Sequence, residues 1–320
     1  MELWGWFAEK SGNEIAALLW RRLPLDEDPA ITLTANISQQ KALSVLPVRP
    51  AAKAPVQPRA VGTVKLSVKQ TSRGTALQGL RQSGSYRCLF PRSKTDALEA
   101  VLINTAGGIT GGDDMQIAAE VGAGASLTLT SQTAERAYRA QPGEVGKLQT
   151  KLTVAAAGHV NWLPQETILF QSCALRRSLK VDLAPEASAL VVEPLVFGRK
   201  AMGEVVTQGL FQDQILLRRD GRVLYRDAMR FNGDMQAQLD RPHVAAGARA
   251  LVSLIYIAPD APGQLAQLRA MLPDQAGASL IGEDLLVLRI LATDAHDLRR
   301  SLLPILNRLT RDTLPRCWMI

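Results

Sequence analysis

Between residues 120 and 230 apolar and polar side chains largely alternate. In "KLQTKLTV" (147–154), Leu148, Thr150, Leu152 and Val154 fall on one side, and Gln149, Lys151 and Thr153 on the other. This is the period-2 signature of a half-buried strand. "LTLT" (127–130), "LKVDL" (179–183) and "QILLRRDGRVLY" (214–225) read the same way. In the last of these, Asp220-Gly221 between two apolar runs predicts a tight hairpin. "VGAGASLTL" from Val121, "VAAAGHVNW" from Val154 and "LAPEASALV" from Leu183 each read as a strand end, a few small residues and a new strand, at offsets of 33 and 29 residues. Such a repeat predicts stacked coils of a β-solenoid.

The pattern changes after residue 250. "ALVSLIYIA" (250–258), "ASLIG" (278–282) and "DLLVLRILA" (284–292) read as strands, with a turn at Gly282-Glu283. "PGQLAQLRAML" (262–272) and "DAHDLRRSLLPILNRLT" (294–310) have helical spacing. Asp294 is a natural N-cap, and Pro304 is expected to kink or interrupt the second helix. The expected fold is mainly β: a β-solenoid-like body of stacked sheets with a C-terminal β-α-β-β-α region carrying two helices. Residues 1–60 differ. An amphipathic stretch at 15–23 leads into "PVRPAAKAPVQPRA" (47–60), a proline-rich linker. Residues 1–60 are therefore expected to form a poorly ordered extension, and 61–320 a single domain.

Composition narrows the function classes. Net charge is +7, of which residues 61–100 hold +5, whereas 101–170 carry −2. Aromatic residues make up only 5% of the chain, so the interleaved basic and aromatic surface of a nucleic-acid binder is not expected. The three cysteines, Cys88, Cys173 and Cys317, are far apart. They point to a reducing, cytoplasmic setting rather than to disulfides or a zinc finger. No apolar run approaches the ~18–20 residues of a membrane span, and the N-terminal stretch is a poor signal peptide.

The densest local motif is "NTAGGITGGDD" (104–114). Gly107 to Gly112 gives the G-x-x-x-x-G of a phosphate loop, but Asp113-Asp114 stand where lysine and a hydroxyl residue are required. A dinucleotide fingerprint fails too, because Ile109 or Thr110 occupies its second glycine position. His159, His243 and His296 form no ligand motif. Each is expected in a loop or at a helix end, and no tightly held zinc or nickel site is predicted. No G-x-S-x-G nucleophile elbow occurs. The residues by themselves leave a glycine turn with an acidic tip, either functional or plain, and give little support to an enzyme.

Further phrases follow in order: "AERAYRA" (134–140), "WLPQETILF" (162–170), "EPLVFGRKAMGE" (193–204) and "LPRCWMI" (314–320). Together with the glycine loop this set resembles the urease accessory protein family UreD, also called UreH, over about residues 65–320. The motif residues are Asn104, Gly107, Gly108, Gly111, Gly112, Tyr138, Arg139, Trp162, Pro164, Gln165, Gly198 and Arg199. The resemblance implies a non-enzymatic maturation factor that binds the urease apoprotein and the partners UreF and UreG, the latter a GTPase that delivers nickel. It implies a β-rich, solenoid-like body with two helices and no nucleotide site or tightly bound cofactor. Nickel would be a transient cargo passing through an internal tunnel. Asp113 and Glu193 become candidate acids on such a route, with Asp227 and Glu166 behind them. Oxygen ligands release a borderline cation that His or Cys would trap. Glu166 shares strand parity with Trp162, Ile168 and Phe170, which turns it inward unless Pro164 shifts the register; an ion pair with Arg139 is its plainer reading. Plainer readings also stand for Tyr138 and Arg139 (core packing and an ion pair), Trp162 (core), and Gly198 and Arg199 (a turn). A hydrolase or an interaction module unrelated to urease is the competing function.

Overall fold

The structure is a computed structural model that describes residues 57–92 and 95–319. The amphipathic stretch at 15–23 and residues 47–56 of the proline-rich linker lie outside the described residues. The elements run β1 (Val61–Thr71), β2 (Gly74–Gly84), β3 (Tyr86–Leu89), β4 (Leu98–Asn104), β5 (Asp114–Val121), β6 (Ser126–Ser131), β7 (Glu135–Ala137), β8 (Gly146–Val154), β9 (His159–Leu163), β10 (Thr167–Leu169), β11 (Ala174–Leu183), β12 (Ser188–Phe197), β13 (Leu210–Arg219) and β14 (Arg222–Asn232). They continue with α1 (Met235–Leu239), β15 (Ala250–Ile257), α2 (Ala261–Met271), β16 (Ala276–Ile281), β17 (Leu285–Ala292) and α3 (Ala295–Leu309). The C-terminal β-α-β-β-α order is as the periodicity predicts. Helix α1 is additional: at five residues it is too short for periodicity to reveal, and the Asp234 carboxylate caps it by accepting from Ala237 N.

Two sheets stack face to face. One has the order β14-β13-β11-β8-β5-β1-β2. The other runs β16-β17-β15-β12-β9-β6-β4-β3, with β10 beside β12 and β7. The small-residue repeat is the coil of this solenoid. β5–β6, β8–β9 and β11–β12 are joined by corners 122–125, 155–158 and 184–187, and successive coils pair in parallel, with Val121 opposite Val154 and Val154 opposite Leu183. The ladder carries on through the corners: Ala155 N donates to Val121 O (2.9 Å) and Ala184 N to Val154 O (2.8 Å). Close backbone stacking of this kind favours Gly and Ala at the bend. The hairpin at Asp220-Gly221 has both central residues in the left-handed region, at φ 49° and 72°, which fits a twist-matched two-residue turn.

Strict alternation in β8 places Leu148, Thr150, Leu152 and Val154 inward, and a single apolar core fills the space between the sheets. Strand β12 is buried on both faces, because helices α2 and α3 cover the outer side of its sheet over a second apolar cluster. Asp294 caps α3, accepting from Asp297 N at 3.0 Å. The helix runs through Pro304 without interruption. Pro304 and Arg300, whose carbonyl would lose its partner, both lie on the exposed side, where water can satisfy that carbonyl. His159 is not in a loop or at a helix end; it opens β9, its Nδ1 2.7 Å from Ser188 Oγ and its Nε2 2.9 Å from Asn161 Oδ1. Burial holds its imidazole below the ordinary pKa.

Candidate functional site

The glycine loop is a structural clasp. Asp113 is buried, and both carboxylate oxygens accept main-chain donors at 2.8 Å: Oδ1 from Ala60 N, on the chain leading into β1, and Oδ2 from Thr110 N. Gly112 supplies the left-handed turn at φ +85°. Gly108 is fixed by crowding, since a Cβ there would come within 2.4 Å of the Tyr138 ring. Removing the Asp113 carboxylate strands two donors, so Asp113→Ala is expected to cost about 1–3 kcal/mol. Urea unfolding would measure it, and an unchanged midpoint would show the clasp to be dispensable.

Asn104, at the start of the loop, reaches into the interior. Its Nδ2 donates to Gly108 O (3.0 Å) and to both oxygens of Glu135 (3.2 Å each). Glu135 and Asn104 line a cavity of about 90 Å³ between the sheets, together with Tyr86, Thr150, Trp162, Pro164, Gln165, Thr167, Arg177 and Glu193. Asp113 and Glu166 are not among its lining residues.

From this cavity a buried seam of charge crosses the core. Trp162 Nε1 donates to Glu193 Oε1 at 2.7 Å. Arg177 Nη1 lies 2.6 Å from Glu193 Oε2, and its Nε and Nη2 grip Asp213 at 2.9 and 2.6 Å. Arg289 donates to Asp227 Oδ2 (2.7 Å) and Ser253 Oγ (2.6 Å). Burial pushes the Glu193 carboxyl upward, and the Arg177 guanidinium pulls against it. Burial works against the charge of Arg177, but Asp213 and Glu193 hold its pKa above the ordinary value. Asp227 is pushed up to about 6 by burial, with Arg289 opposing, and its Oδ1 finds no donor among the described residues.

Glu166 departs from the inward orientation that its parity suggested. Pro164 ends the run of β9, and the extended segment through Glu166 shifts the phase. Thr167 and Leu169 then point inward, and Ile168 falls on the helix-facing side. Glu166 instead pairs with Arg299 of α3 at 3.1 Å, not with Arg139, and Arg299 also donates to Gln165 Oε1 at 2.8 Å. Arg299 Cζ lies 5.2 Å from the ring centre of Trp318, whose indole donates to Leu163 O at 3.0 Å. The phrases "WLPQE" and "LPRCW" thus meet in one contact, although Leu163 and Trp318 are 155 residues apart in the chain. Tyr138 and Arg139 are exposed, in contrast to the core packing and ion pair weighed for them. Gly198, at φ +73°, shapes a turn, and Arg199 stacks over Phe170 at 4.3 Å.

Glu135, Arg177, Asp213, Arg289 and Arg299 were not singled out by motif. Burial pushes the Glu135 carboxyl up to about 7, against its Asn104 hydrogen bond. The folded protein therefore retains a proton that the unfolded chain releases near pH 4.3. The resulting stability is complete below about pH 4.3 and is lost as pH rises through about 7, by at most about 1.4 kcal/mol per pH unit. Asp227 acts with the same sign over a lower window, from about pH 3.9 to about 6. Glu135→Gln should flatten the upper window, between about pH 6 and 7, in urea midpoints followed against pH. An unaltered slope there would place the titration elsewhere.

The cavity and seam define a β-rich protein with a partly open interior cavity whose mainly apolar lining carries the Asn104, Glu135 and Glu193 oxygens and the Arg177 guanidinium. Comparison with known proteins supplies the family. The family model described as UreD urease accessory protein matches residues 60–319. A urease accessory protein UreD of Ruegeria pomeroyi is 52% identical over 257 residues, covering 80% of this chain and all of the relative. Those of Roseobacter denitrificans and Ruegeria sp. strain TM1040 are 48% and 49% identical, covering 82% and 88% of this chain and 96% and 99% of theirs. The chain belongs to the UreD urease accessory protein family. Its role lies in urease maturation, as a helper component. Among the described residues no helix is long and apolar enough to cross a membrane.

Proposed function

We propose that the chain is a maturation scaffold that binds the urease apoprotein together with the accessory partners UreF and UreG in the cytoplasm. It assists nickel insertion by giving the ion a protected internal route and performs no chemistry of its own. The observation that supports this reading is the cavity between the sheets with Glu135 and Glu193 in its lining. The Arg177 guanidinium that pairs with Glu193 lines it too, and its oxygen donors are carboxylate, amide and hydroxyl groups. Such ligands hold a borderline divalent cation weakly enough to hand it on. The Glu135 carboxyl, with its pKa at about 7, can exchange a proton for a cation near neutral pH. Asp227 lies outside the cavity lining, paired with Arg289 at 2.7 Å, and in this reading is a further acid deeper in the core. Asp113 and Glu166 take structural roles in this reading.

A reconstituted maturation assay tests it, with urease apoprotein, nickel and the accessory partners. Glu135→Gln and Glu193→Gln keep side-chain shape, and the latter keeps an acceptor for Trp162. Both are expected to lower nickel incorporation while the chain remains folded and bound to the apoprotein. Full incorporation with both variants would remove the cavity from the route.

A further inference from the structure

A second surface gathers motif residues that the cavity does not use. Tyr138 and Phe170 meet edge to face, with ring centroids 5.0 Å apart, and the Arg199 guanidinium lies 4.3 Å above Phe170. Glu204 fixes Arg199 through two hydrogen bonds of 2.8 and 3.3 Å, and these hold the Glu204 carboxyl below its ordinary pKa. Tyr138 is also tethered by its hydroxyl, which donates to Gly107 O at 3.3 Å. The stack is thus held in place before anything binds, although Tyr138 remains 37% exposed, and Met202 and Val205 beside Arg199 are 73% and 46% exposed. A fixed Tyr-Phe-Arg stack with exposed aliphatic neighbours has the composition of a binding hot spot, and little side-chain freedom is left to lose on association.

The charge at this surface has a sign. Arg136 lies two residues before Tyr138, opposite Ile168 in the register, and its exposed side chain sits at the rim of the cavity. Glu204 and Asp294, the acids beside the stack, are engaged by Arg199 and Lys200, and Glu135, next to Arg136, is turned into the cavity and bonded to Asn104. Arg136 and Arg139 are exposed and make no ion pair among the described residues. The surplus is positive, so a complementary partner is acidic.

We infer that this surface docks an acidic segment of the urease apoprotein, with Tyr138, Phe170 and Arg199 as the anchor and Arg136 as the steering charge. The inference rests on the proposed maturation role and adds to it the face that meets the client. Binding of purified full-length chain to urease apoprotein would be measured by biolayer interferometry at about 50 and about 300 mM salt. Arg136→Glu, Met202→Asp and Tyr138→Ala are each expected to weaken binding by about tenfold or more. Tyr138→Phe, which keeps the ring stack, is expected to bind like the parent. The salt dependence is expected to shrink in Arg136→Glu. Arg136 and Met202 are exposed, so these two variants carry the test even if Tyr138→Ala fails to fold. Binding by Arg136→Glu and Met202→Asp at parental strength overturns the surface while leaving the maturation role standing. A parent chain that neither binds the apoprotein nor supports its activation overturns both.

Discussion

Arg177→Ala is expected to cost about 3–5 kcal/mol, a large share of the about 5–15 kcal/mol that separates a folded domain from its unfolded chain. Arg177 is 7% exposed and stands between Glu193, at 2.6 Å, and Asp213, gripped at 2.6 and 2.9 Å. Without it two carboxylates remain in the core with no adjacent cation. The loss is therefore a charge-burial effect and not only a cavity effect, which a second variant can separate. Arg177→Met combined with Glu193→Gln and Asp213→Leu removes the stranded charges, and the amide oxygen introduced by Glu193→Gln still accepts from Trp162. That combination should be more stable than Arg177→Ala alone, because apolar replacement of a whole buried ion group is often neutral or favourable. Urea unfolding of the two proteins decides the matter. If the combined variant is the weaker, packing around the seam outweighs its electrostatics.

Trp318→Ala should be comparably severe, at about 3–5 kcal/mol. The indole is fully buried and donates to Leu163 O, and Arg299 packs over it while holding Gln165 and Glu166. The contact ties α3 and the segment after it to the turn between β9 and β10. Trp318→Phe should recover part of the loss through packing, but not the indole hydrogen bond. Calorimetric midpoints of the two variants would separate the contributions. A midpoint for Trp318→Ala within a degree or so of the parent would mean that this segment is not part of the cooperative fold.

Much of the fold was legible because its strands alternate and its corners repeat. The offsets of 33 and 29 residues in the sequence become parallel pairs with Val121, Val154 and Leu183 in line. The site was only partly legible. Phrases such as "WLPQE" mark where family residues lie, but not what they touch, and Arg299 is 133 residues from Glu166. A usable signal was nevertheless present in strand phase. Arg177 occupies the inward parity of Leu175, Leu179 and Val181. Asp213 does so among Phe211, Ile215 and Leu217, Asp227 among Tyr225 and Met229, and Arg289 among Val287 and Leu291. Charges at core parity in several neighbouring strands must find one another, because a lone buried charge is too costly. Glu166 shows the limit of the same reasoning: one proline before it was enough to reverse its direction. Helix α1 escaped for want of length, and Glu135 because a three-residue strand carries no periodicity.

The in-line stacking of the coils also governs how quickly the protein can assemble. Each parallel pairing in the seven-strand sheet joins segments 29 to 53 residues apart, from β8 with β11 to β1 with β5. Each such loop must close before its ladder gives any return in contacts. A newly made chain therefore passes through a slow phase in which strand edges and apolar faces are open to other chains. Its soluble yield in a cell is then set by the race between coil stacking and aggregation, so lower temperature or available chaperones would matter more than the stability of the finished fold.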